Sequence, residues 1–272
     1  MRVGTVTVAH GRHDHLRHQL RSLDEGSRVP DEVVVVAMED PELALLDRPT
    51  VVELPADPAR LPLAAARNAG ARAALDLGCD VLVFLDVDCL AGPDLVASYA
   101  ATADHSRGTV WSGPVTYLPA GLDEQALAQP WLLDDPHPAR PAPAPGEVLT
   151  GGDPDLFWSL SFALHHEGWE RSGGFHEGYA GYGGEDTDFA QQVDARGLGL
   201  GWLGSARAYH QHHPTSSPPT QHVDDILRNG ATFHRRWGRW PMLGWLEAFE
   251  GLGLVRRDGD GWVRALPDRG PG

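Results

Sequence analysis

Three runs of apolar, mostly β-branched residues in the first third of the chain predict buried strands. They are VGTVTVA at 3–9, EVVVVA at 32–37 and VLVFL at 81–85. The second and third runs are apolar without alternation, which is typical of strands covered on both faces of a sheet. The pattern therefore predicts a sheet in the middle of the protein.

Helical periodicity separates these strands. Leu16, Leu20 and Leu23 recur at helical spacing, and the alanine-rich stretch at 63–78 has small residues along one stripe. This β-α-β-α-β order predicts an α/β fold with a mostly parallel, Rossmann-like central sheet and helices on both faces. Since ligands bind beyond the carboxyl ends of such strands, residues 1–115 are expected to form a nucleotide-binding half.

The rest of the chain has fewer regular patterns. The sequence predicts a strand at 157–164, a helix at 185–197 closed by Gly197, and a helix at 223–237. The proline-rich segment at 134–147 predicts an exposed loop, because proline disrupts helices and central strands.

Composition narrows the function classes. The 272 residues carry a net charge of −16, which disfavours nucleic acid and anionic membrane surfaces as partners. All 22 basic residues are arginine, which excludes Schiff-base chemistry and a lysine phosphate loop. No apolar run approaches the roughly 20 residues of a membrane span. Cys79 and Cys89 form no paired motif, so we expect a protein of the reducing cytoplasm.

Two carboxylates follow the third predicted strand. Asp86 and Asp88 flank Val87, and the alternation of an extended backbone directs both to the same side. Other Asp-x-Asp triplets begin at 153, 186 and 258, but only this one ends a buried apolar strand. Its position favours a site for Mg²⁺ or Mn²⁺ shared with phosphate oxygens over a solvated turn.

A run of histidines offers further metal ligands. ARAYHQHHP contains His210, His212 and His213 within four residues. Imidazole favours Mn²⁺ over Ca²⁺ and also admits Mg²⁺. The alternative is an exposed polar loop.

Polar donors lie in the first loop and near the start of the alanine-rich helix. Arg12 follows the first strand, and Arg67 and Asn68 belong to the helix. Arginine at these places suits contacts to phosphate or ribose. The alternative for each arginine is a salt bridge on an acidic protein.

Glycines precede three acids in GYGGEDTDF, namely Glu185, Asp186 and Asp188. Glycine permits a tight turn or the close approach of a ligand. Neighbouring carboxylates repel one another unless a cation, a donor or a substrate uses them. The alternative is a polar surface turn at a helix N-terminus.

The order of these segments resembles that of the GT-A glycosyltransferases, in particular the family 2-like enzymes and the galactosyltransferase-related group. The segments are AHGRHDHL, AARNAGARAALDLGCD, VFLDVDC, SLSFALHHEGWERSGGF, GYGGEDTDF and ARAYH. WERSGGF followed by GYGGED is the most specific part. The resemblance implies a GT-A fold and metal-dependent, inverting transfer of a sugar from a nucleotide diphosphate, with a UDP-sugar favoured, to a hydroxyl of a glycan or small-molecule acceptor.

The resemblance also implies metal ligands. Asp88 would bind Mn²⁺ or Mg²⁺ directly, and Asp86 would lie near the ribose or the ion. The family's later metal histidine corresponds to His210, with His212 as the alternative.

Roles at the glycine-rich loop follow from the same resemblance. Asp186 would be the general base, and Glu185 would orient the acceptor. Gly183 and Gly184 would let the loop approach the donor sugar.

The sequence departs from the family pattern where acids normally end the second strand. MED occupies this place, so Glu39 or Asp40 is the expected contact to the nucleotide base. The organisation expected is one catalytic domain over 1–235, with the acceptor and metal-histidine half at 148–215. A tryptophan-containing C-terminal extension at 236–272 would lie on the acceptor side.

Two other functions compete with the transferase. A sugar-nucleotide pyrophosphorylase has a glycine-rich, lysine-containing loop after its first strand, which AHGRHDHL lacks. A non-catalytic nucleotide-sugar or glycan-binding protein on the same fold would lack a base or a ligand, and the sequence lacks neither.

Overall fold

The structure is a computed structural model that describes residues 1–265. The helices are α1 His13–Asp24, α2 Leu63–Asp76, α3 Leu95–His105, α4 Glu124–Ala128, α5 His166–Ser172, α6 Glu185–Ala195, α7 Val223–Trp237 and α8 Leu243–Gly251. The strands are β1 Val3–Ala9, β2 Glu32–Met38, β3 Thr50–Leu54, β4 Val81–Leu85, β5 Cys89–Ala91, β6 Thr109–Ser112, β7 Val115–Tyr117, β8 Val148–Thr150, β9 Ser161–His165, β10 Gly199–Leu203, β11 Ala208–His210, β12 Val255–Asp258 and β13 Gly261–Arg264.

The main sheet has the strand order β3-β2-β1-β4-β9-β6-β10-β8. The first four strands are parallel, whereas β9 is antiparallel to both β4 and β6. A second sheet has the order β5-β11-β7. The large sheet with its helices confirms the predicted α/β class, and the carboxyl ends of β1, β2 and β4 meet at one edge.

Alternate residues of β4 supply two different cores. Leu82 and Phe84 belong to the core that contains α2, α5 and α6, whereas Val83 belongs to the core under α3. Gly70 allows α2 to pack directly on β1, because a Cβ at this position would overlap the Val6 side chain. The continuous apolar run of β4 therefore reflects burial on both faces.

One predicted strand begins later than expected. Residues Pro154–Leu156 form a 3-10 turn and residues 159–160 form another turn, so the strand starts at Ser161. Phe157 is fully buried without being in a strand. Its burial produces the same apolar signal as a strand, which explains the error.

The proline-rich segment is a loop, as predicted, but it is not exposed throughout. Arg140 is only 6% exposed. Its guanidinium carbon lies 5.2 Å from the ring centroid of Trp158 and 5.0 Å from that of Trp202. Cation–π contacts on two rings thus hold the middle of the loop against the protein.

The C-terminal extension, to which no pattern assigned elements, contains α8 and the β12–β13 hairpin. Leu246, Phe249 and Trp262 pack with Val223 and Ile226 of α7 in one apolar cluster. Residues 266–272 of the extension lie outside the described residues. Within the described part of the chain, no helix combines the length and apolarity needed to cross a bilayer.

Candidate active site

The turn after β4 carries Asp86 and Asp88, and a buried glutamine holds it in place. Gln19 of α1 is fully buried, and its Nε2 donates to the backbone oxygens of Asp86 at 2.6 Å and Cys89 at 3.0 Å. Its Oε1 accepts from the Thr7 hydroxyl at 2.8 Å. Sequence reasoning missed Gln19, although its place on the apolar stripe of α1 is a signal for a buried polar group.

Two histidines converge on Asp88. His210 Nε2 lies 3.5 Å from Oδ1, and His213 Nε2 lies 3.4 Å from Oδ2. His210 is at the end of β11, where it is paired with Cys89 of β5, directly after Asp88. His212 is exposed, and it does not belong to the group of residues whose ligand atoms converge here. The structure thus gathers Asp88, His210 and His213, with Arg12 Nη1 at 3.1 Å from the carboxylate.

The chemistry of this cluster suits a divalent cation. One carboxylate oxygen and two imidazole nitrogens lie within 4.8 Å of one another, a ligand set that Mn²⁺ accepts. Burial lowers the pKa of His210, which keeps its lone pair free. Burial alone would raise the pKa of Asp88, but the hydrogen bond from His213 and the charges of His210 and Arg12 outweigh it and lower that pKa.

Arg67 connects the acids that follow β4 with the acids at the start of α6. It is 4% exposed, and its Nη2 donates to Asp86 at 2.9 Å while its Nη1 donates to Glu185 at 3.2 Å. Burial alone would lower the pKa of Arg67, but the charges of the two carboxylates raise it. The guanidinium thus serves as an internal bridge, the alternative that the sequence left open.

Asn68 faces the protein interior. Its Nδ2 donates to Phe175 O at 2.9 Å and to Glu177 at 2.8 Å, and its Oδ1 accepts from Phe175 N at 2.8 Å. In the structure its amide therefore positions the loop after α5. The contact of Asn68 to phosphate or ribose stays a prediction from the sequence.

Glu185 and Asp186 begin α6 after two glycines in the left-handed region. Gly183 has φ 87° and Gly184 has φ 92°, backbone conformations that favour glycine. Burial and the neighbouring charge of Asp186 raise the pKa of Glu185 to about 7. Burial likewise raises the pKa of Asp186, whose Oδ1 accepts from Thr187 N at 2.8 Å.

Helix α7 clamps the glycine-rich loop, which sequence reasoning did not foresee. Asn229 is 1% exposed, and its Nδ2 donates to the carbonyls of Ala180 and Tyr182, each at 3.2 Å, and of Gly183 at 2.8 Å. Asp225 Oδ2 accepts from Tyr182 N at 3.1 Å. The available signal was a polar residue on the apolar stripe of α7.

Asp188, the third acid of the motif, is fully buried away from the other two. Its Oδ1 accepts from Tyr179 Oη at 3.1 Å and from Arg236 Nε and Trp237 Nε1 at 2.7 Å each. It therefore joins α6 to the end of α7, a larger structural role than a surface turn at a helix N-terminus.

The acids after β2 differ in environment. Asp40 Oδ2 accepts from Gly11 N at 2.7 Å and from His13 Nε2 at 2.9 Å. Glu39 is exposed and has φ 47°. Left-handed backbone at a residue other than glycine costs on the order of 1 kcal/mol and is concentrated at functional sites.

A cavity of about 630 Å³ is lined both by the first acid after β4 and by the acids at the start of α6. Asp86 and Arg67 lie on its wall together with Glu185 and Asp186. Aromatic side chains form much of the remaining wall, namely Tyr117, Trp158, Tyr182, Trp240 and Trp245. Residues 239–245 of the extension thus belong to the site.

Parts of this sequence are similar to known proteins. A family model described as the N-terminal domain of galactosyltransferase matches residues 155–214, the segment from the cavity wall to the histidines. Validoxylamine A glucosyltransferase of Streptomyces hygroscopicus subsp. jinggangensis (strain 5008) is 31% identical over an alignment of 218 positions, and the match covers 70% of this chain and 48% of that protein. The homologue from subsp. limoneus is 28% identical. The chain thus spans about half the length of the curated relatives it matches.

Solved structures share the fold at low sequence identity. A crystal structure of GalNAc-T7 with UDP, GalNAc and Mn²⁺ has a TM-score of 0.57 at 15% identity and covers 92% of this chain and 57% of that chain. S. aureus TarS 1-349 in complex with UDP-GlcNAc has a TM-score of 0.57 at 13% identity, covering 79% and 60%. The chain has the GT-A fold, and the resemblance to GT-A glycosyltransferases inferred from its motifs is confirmed.

Proposed function

We propose that this protein is a metal-dependent, inverting glycosyltransferase. It would transfer a sugar from a nucleotide-diphosphate donor, with a UDP-sugar favoured, to an acceptor hydroxyl. The observation that carries the proposal is the position of the acids Asp86, Glu185 and Asp186 on the wall of one cavity, directly beside the Asp88 cluster.

Asp88, His210 and His213 would hold Mn²⁺ or Mg²⁺, with Asp86 close to the ribose or the ion. When bound, the ion supplies positive charge that stabilises a diphosphate leaving group. Arg12 adds a fixed positive charge at the same place, because its Nη1 lies 3.1 Å from Asp88. Asp40 and Glu39, beyond β2, are the proposed contacts to the nucleotide base.

Asp186 is the proposed general base. Glu185 is held through Oε1 by Arg67, so it is suited to orienting an acceptor. Asp186 has its Oδ1 bound to Thr187 N, while Oδ2 has no hydrogen-bond partner among the described residues. A carboxylate on the wall of the cavity can take the proton of the attacking hydroxyl, and attack from the side opposite the leaving group inverts the anomeric carbon.

The relatives support the class of substrate. The two curated relatives are glucosyltransferases whose names give validoxylamine A as the acceptor, and the structural neighbours contain UDP or UDP-GlcNAc. We therefore propose a small molecule or glycan as acceptor. A cytoplasmic location is proposed from the composition alone.

The test uses the full chain with Mn²⁺ and labelled UDP-, GDP-, dTDP- and CDP-sugars. We expect release of the sugar from one donor class, and Asp186→Asn should slow this release by about 10²–10⁴-fold while nucleotide affinity with Mn²⁺ stays within about twofold. Asp194→Asn, an exposed acid on the same helix, is the matched control and should behave like the wild type.

Two outcomes would contradict the proposal. Intact donors in every reaction, with nucleotide still bound, would favour a non-catalytic binding protein. Equal loss of turnover and nucleotide affinity in Asp186→Asn would make this residue structural or a metal ligand.

A further inference from the structure

The lining of the site cavity has more carboxyl groups than guanidinium groups, so its charge is negative when the carboxyls are ionised. Its ionisable groups are the carboxylates of Asp86, Asp155, Glu185 and Asp186 and the guanidinium groups of Arg67 and Arg239. Both guanidinium groups are already paired, Arg67 with Asp86 and Glu185, and Arg239 with Asp155. Among the described residues, the wall therefore offers no unpaired cation to a ligand.

A further guanidinium lies near the cavity but not on its wall. Arg140 is 6% exposed and lies over the ring of Trp158, 5.2 Å from the centroid. Its Nη2 donates to Ser112 at 2.6 Å. Because Trp158 is the residue of this pair that lines the cavity, the wall presents an aromatic ring.

The extension adds aromatic surface next to the glycine-rich loop. The rings of Tyr182 and Trp245 lie 5.7 Å apart with an interplanar angle of 32°. Tyr182 is 39% exposed, so part of its surface is open to a ligand. Aromatic faces pack well against the C–H face of a sugar ring and attract cations.

We propose that the acceptor is a sugar ring that carries no negative charge, and that α8 and the segment before it select it. This inference rests on the proposed function, because it names the acceptor of the same site. Hydroxyl groups of a neutral ring can donate to the carboxylates, and an amino substituent gains from them further. A phosphate or carboxylate on the acceptor would meet like charge without a free cation.

A bound donor does not reverse this preference. A nucleotide diphosphate sugar carries two negative charges on its phosphates, which one divalent cation balances. The acceptor part of the cavity therefore keeps the sign of its own lining.

The test is a series of three probes that share one ring and differ in charge. Binding of methyl glucoside, glucosamine and glucuronate to the full chain with UDP and Mn²⁺ is measured by saturation-transfer NMR. We expect glucuronate to bind about tenfold more weakly than methyl glucoside, or worse, and glucosamine to bind at least as tightly.

Two variants locate the selection on α8. Leu243 lines the cavity and is 48% exposed, so Leu243→Arg adds an unpaired cation without disturbing the core. It should strengthen glucuronate relative to methyl glucoside by about tenfold. Trp245→Ala should weaken all three probes by about fivefold. Trp131→Ala, at a 41% exposed tryptophan outside this cavity, is the control and should change none.

Three results would overturn the inference: glucuronate binds as tightly as methyl glucoside, Trp245→Ala changes the binding of no probe, or none of the three probes binds. Release of the sugar from the donor without acceptor tests the proposed function separately. If the donor is cleaved but the probes do not bind in the expected order, only the inference about the acceptor is contradicted. If the probes bind in the expected order but no donor is cleaved, the transferase activity is contradicted and a ring-binding site remains.

Discussion

At the scale of single residues, the three acids of the GYGGEDTD motif have separate roles. Glu185 is bound to Arg67, Asp186 lies on the cavity wall, and Asp188 is buried against α7. Adjacent positions at the start of a helix differ by about 100° in direction, so neighbouring acids face different surroundings. Residue type and spacing identified the motif in the sequence. The burial and the hydrogen-bond partners of each acid distinguish the three acids in the structure.

The metal cluster gives a prediction with a control from the same loop. His210→Ala should weaken Mn²⁺-dependent nucleotide binding by at least about tenfold, because it removes one of the converging ligands. His212→Ala should leave binding unchanged, since His212 is exposed. Calorimetric titration of UDP with and without Mn²⁺ measures both. Equal effects of the two substitutions would contradict the proposed ligand set.

Glu185 gives a prediction for the pH dependence of stability. Burial and Asp186 raise its pKa from 4.5 to about 7. A carboxyl with a raised folded-state pKa holds its proton more tightly in the folded protein, so its contribution to stability is complete below pH 4.5 and is lost as the pH rises through 7. Urea unfolding over this range should show that loss.

Glu185→Gln should remove this part of the pH dependence, because the amide does not titrate. Glu247→Gln is the matched control, since Glu247 is a 61% exposed glutamate of α8. A wild-type slope retained in Glu185→Gln would show that Glu185 is not the group responsible.

At the scale of elements, α7 determines the shape of the glycine-rich loop. Gly181 is packed so closely on Asp225 that a Cβ would overlap its carboxylate. Asn229 donates to three carbonyls of the loop. The glycines thus serve two purposes, the left-handed turn into α6 and close contact with the next helix.

Asn229→Ala tests this clamp. It leaves loop carbonyls without their donor, which should lower the free energy of unfolding by about 1–3 kcal/mol and reduce turnover more than nucleotide affinity. Asp224→Asn, at a 75% exposed position on the same helix, should change neither. Chemical unfolding and donor cleavage measure the two effects, and a stability loss without a change in turnover would separate the loop from catalysis.

At the scale of the whole molecule, the extension closes one side of a cavity whose other walls include Asp86, directly after β4, and the start of α6. The apolar cluster of α7, α8 and the β12–β13 hairpin holds residues 239–245 against the site. Met242 has φ 53° directly before α8, so the chain enters this helix through a left-handed residue. The net charge of −16 agrees in sign with the lining of the cavity.

The sequence by itself predicted the strands β1, β2, β4 and, with too early a start, β9, the helices α1, α2, α6 and α7 and the acids after β4, because burial on both faces leaves a continuous apolar run and a metal-type motif follows it directly. Four of the eight strands of the main sheet and four of the eight helices in the described part of the chain were not predicted from local patterns. The sequence did not determine which polar residues face the cavity. Asn68, Asp188 and Arg140 are buried against partners that lie more than 15 residues away in the chain. Local sequence patterns do not specify contacts between such distant residues. Only the tertiary structure brought His213 to Asp88 and residues 239–245 to the acids of α6, since both depend on how distant elements pack.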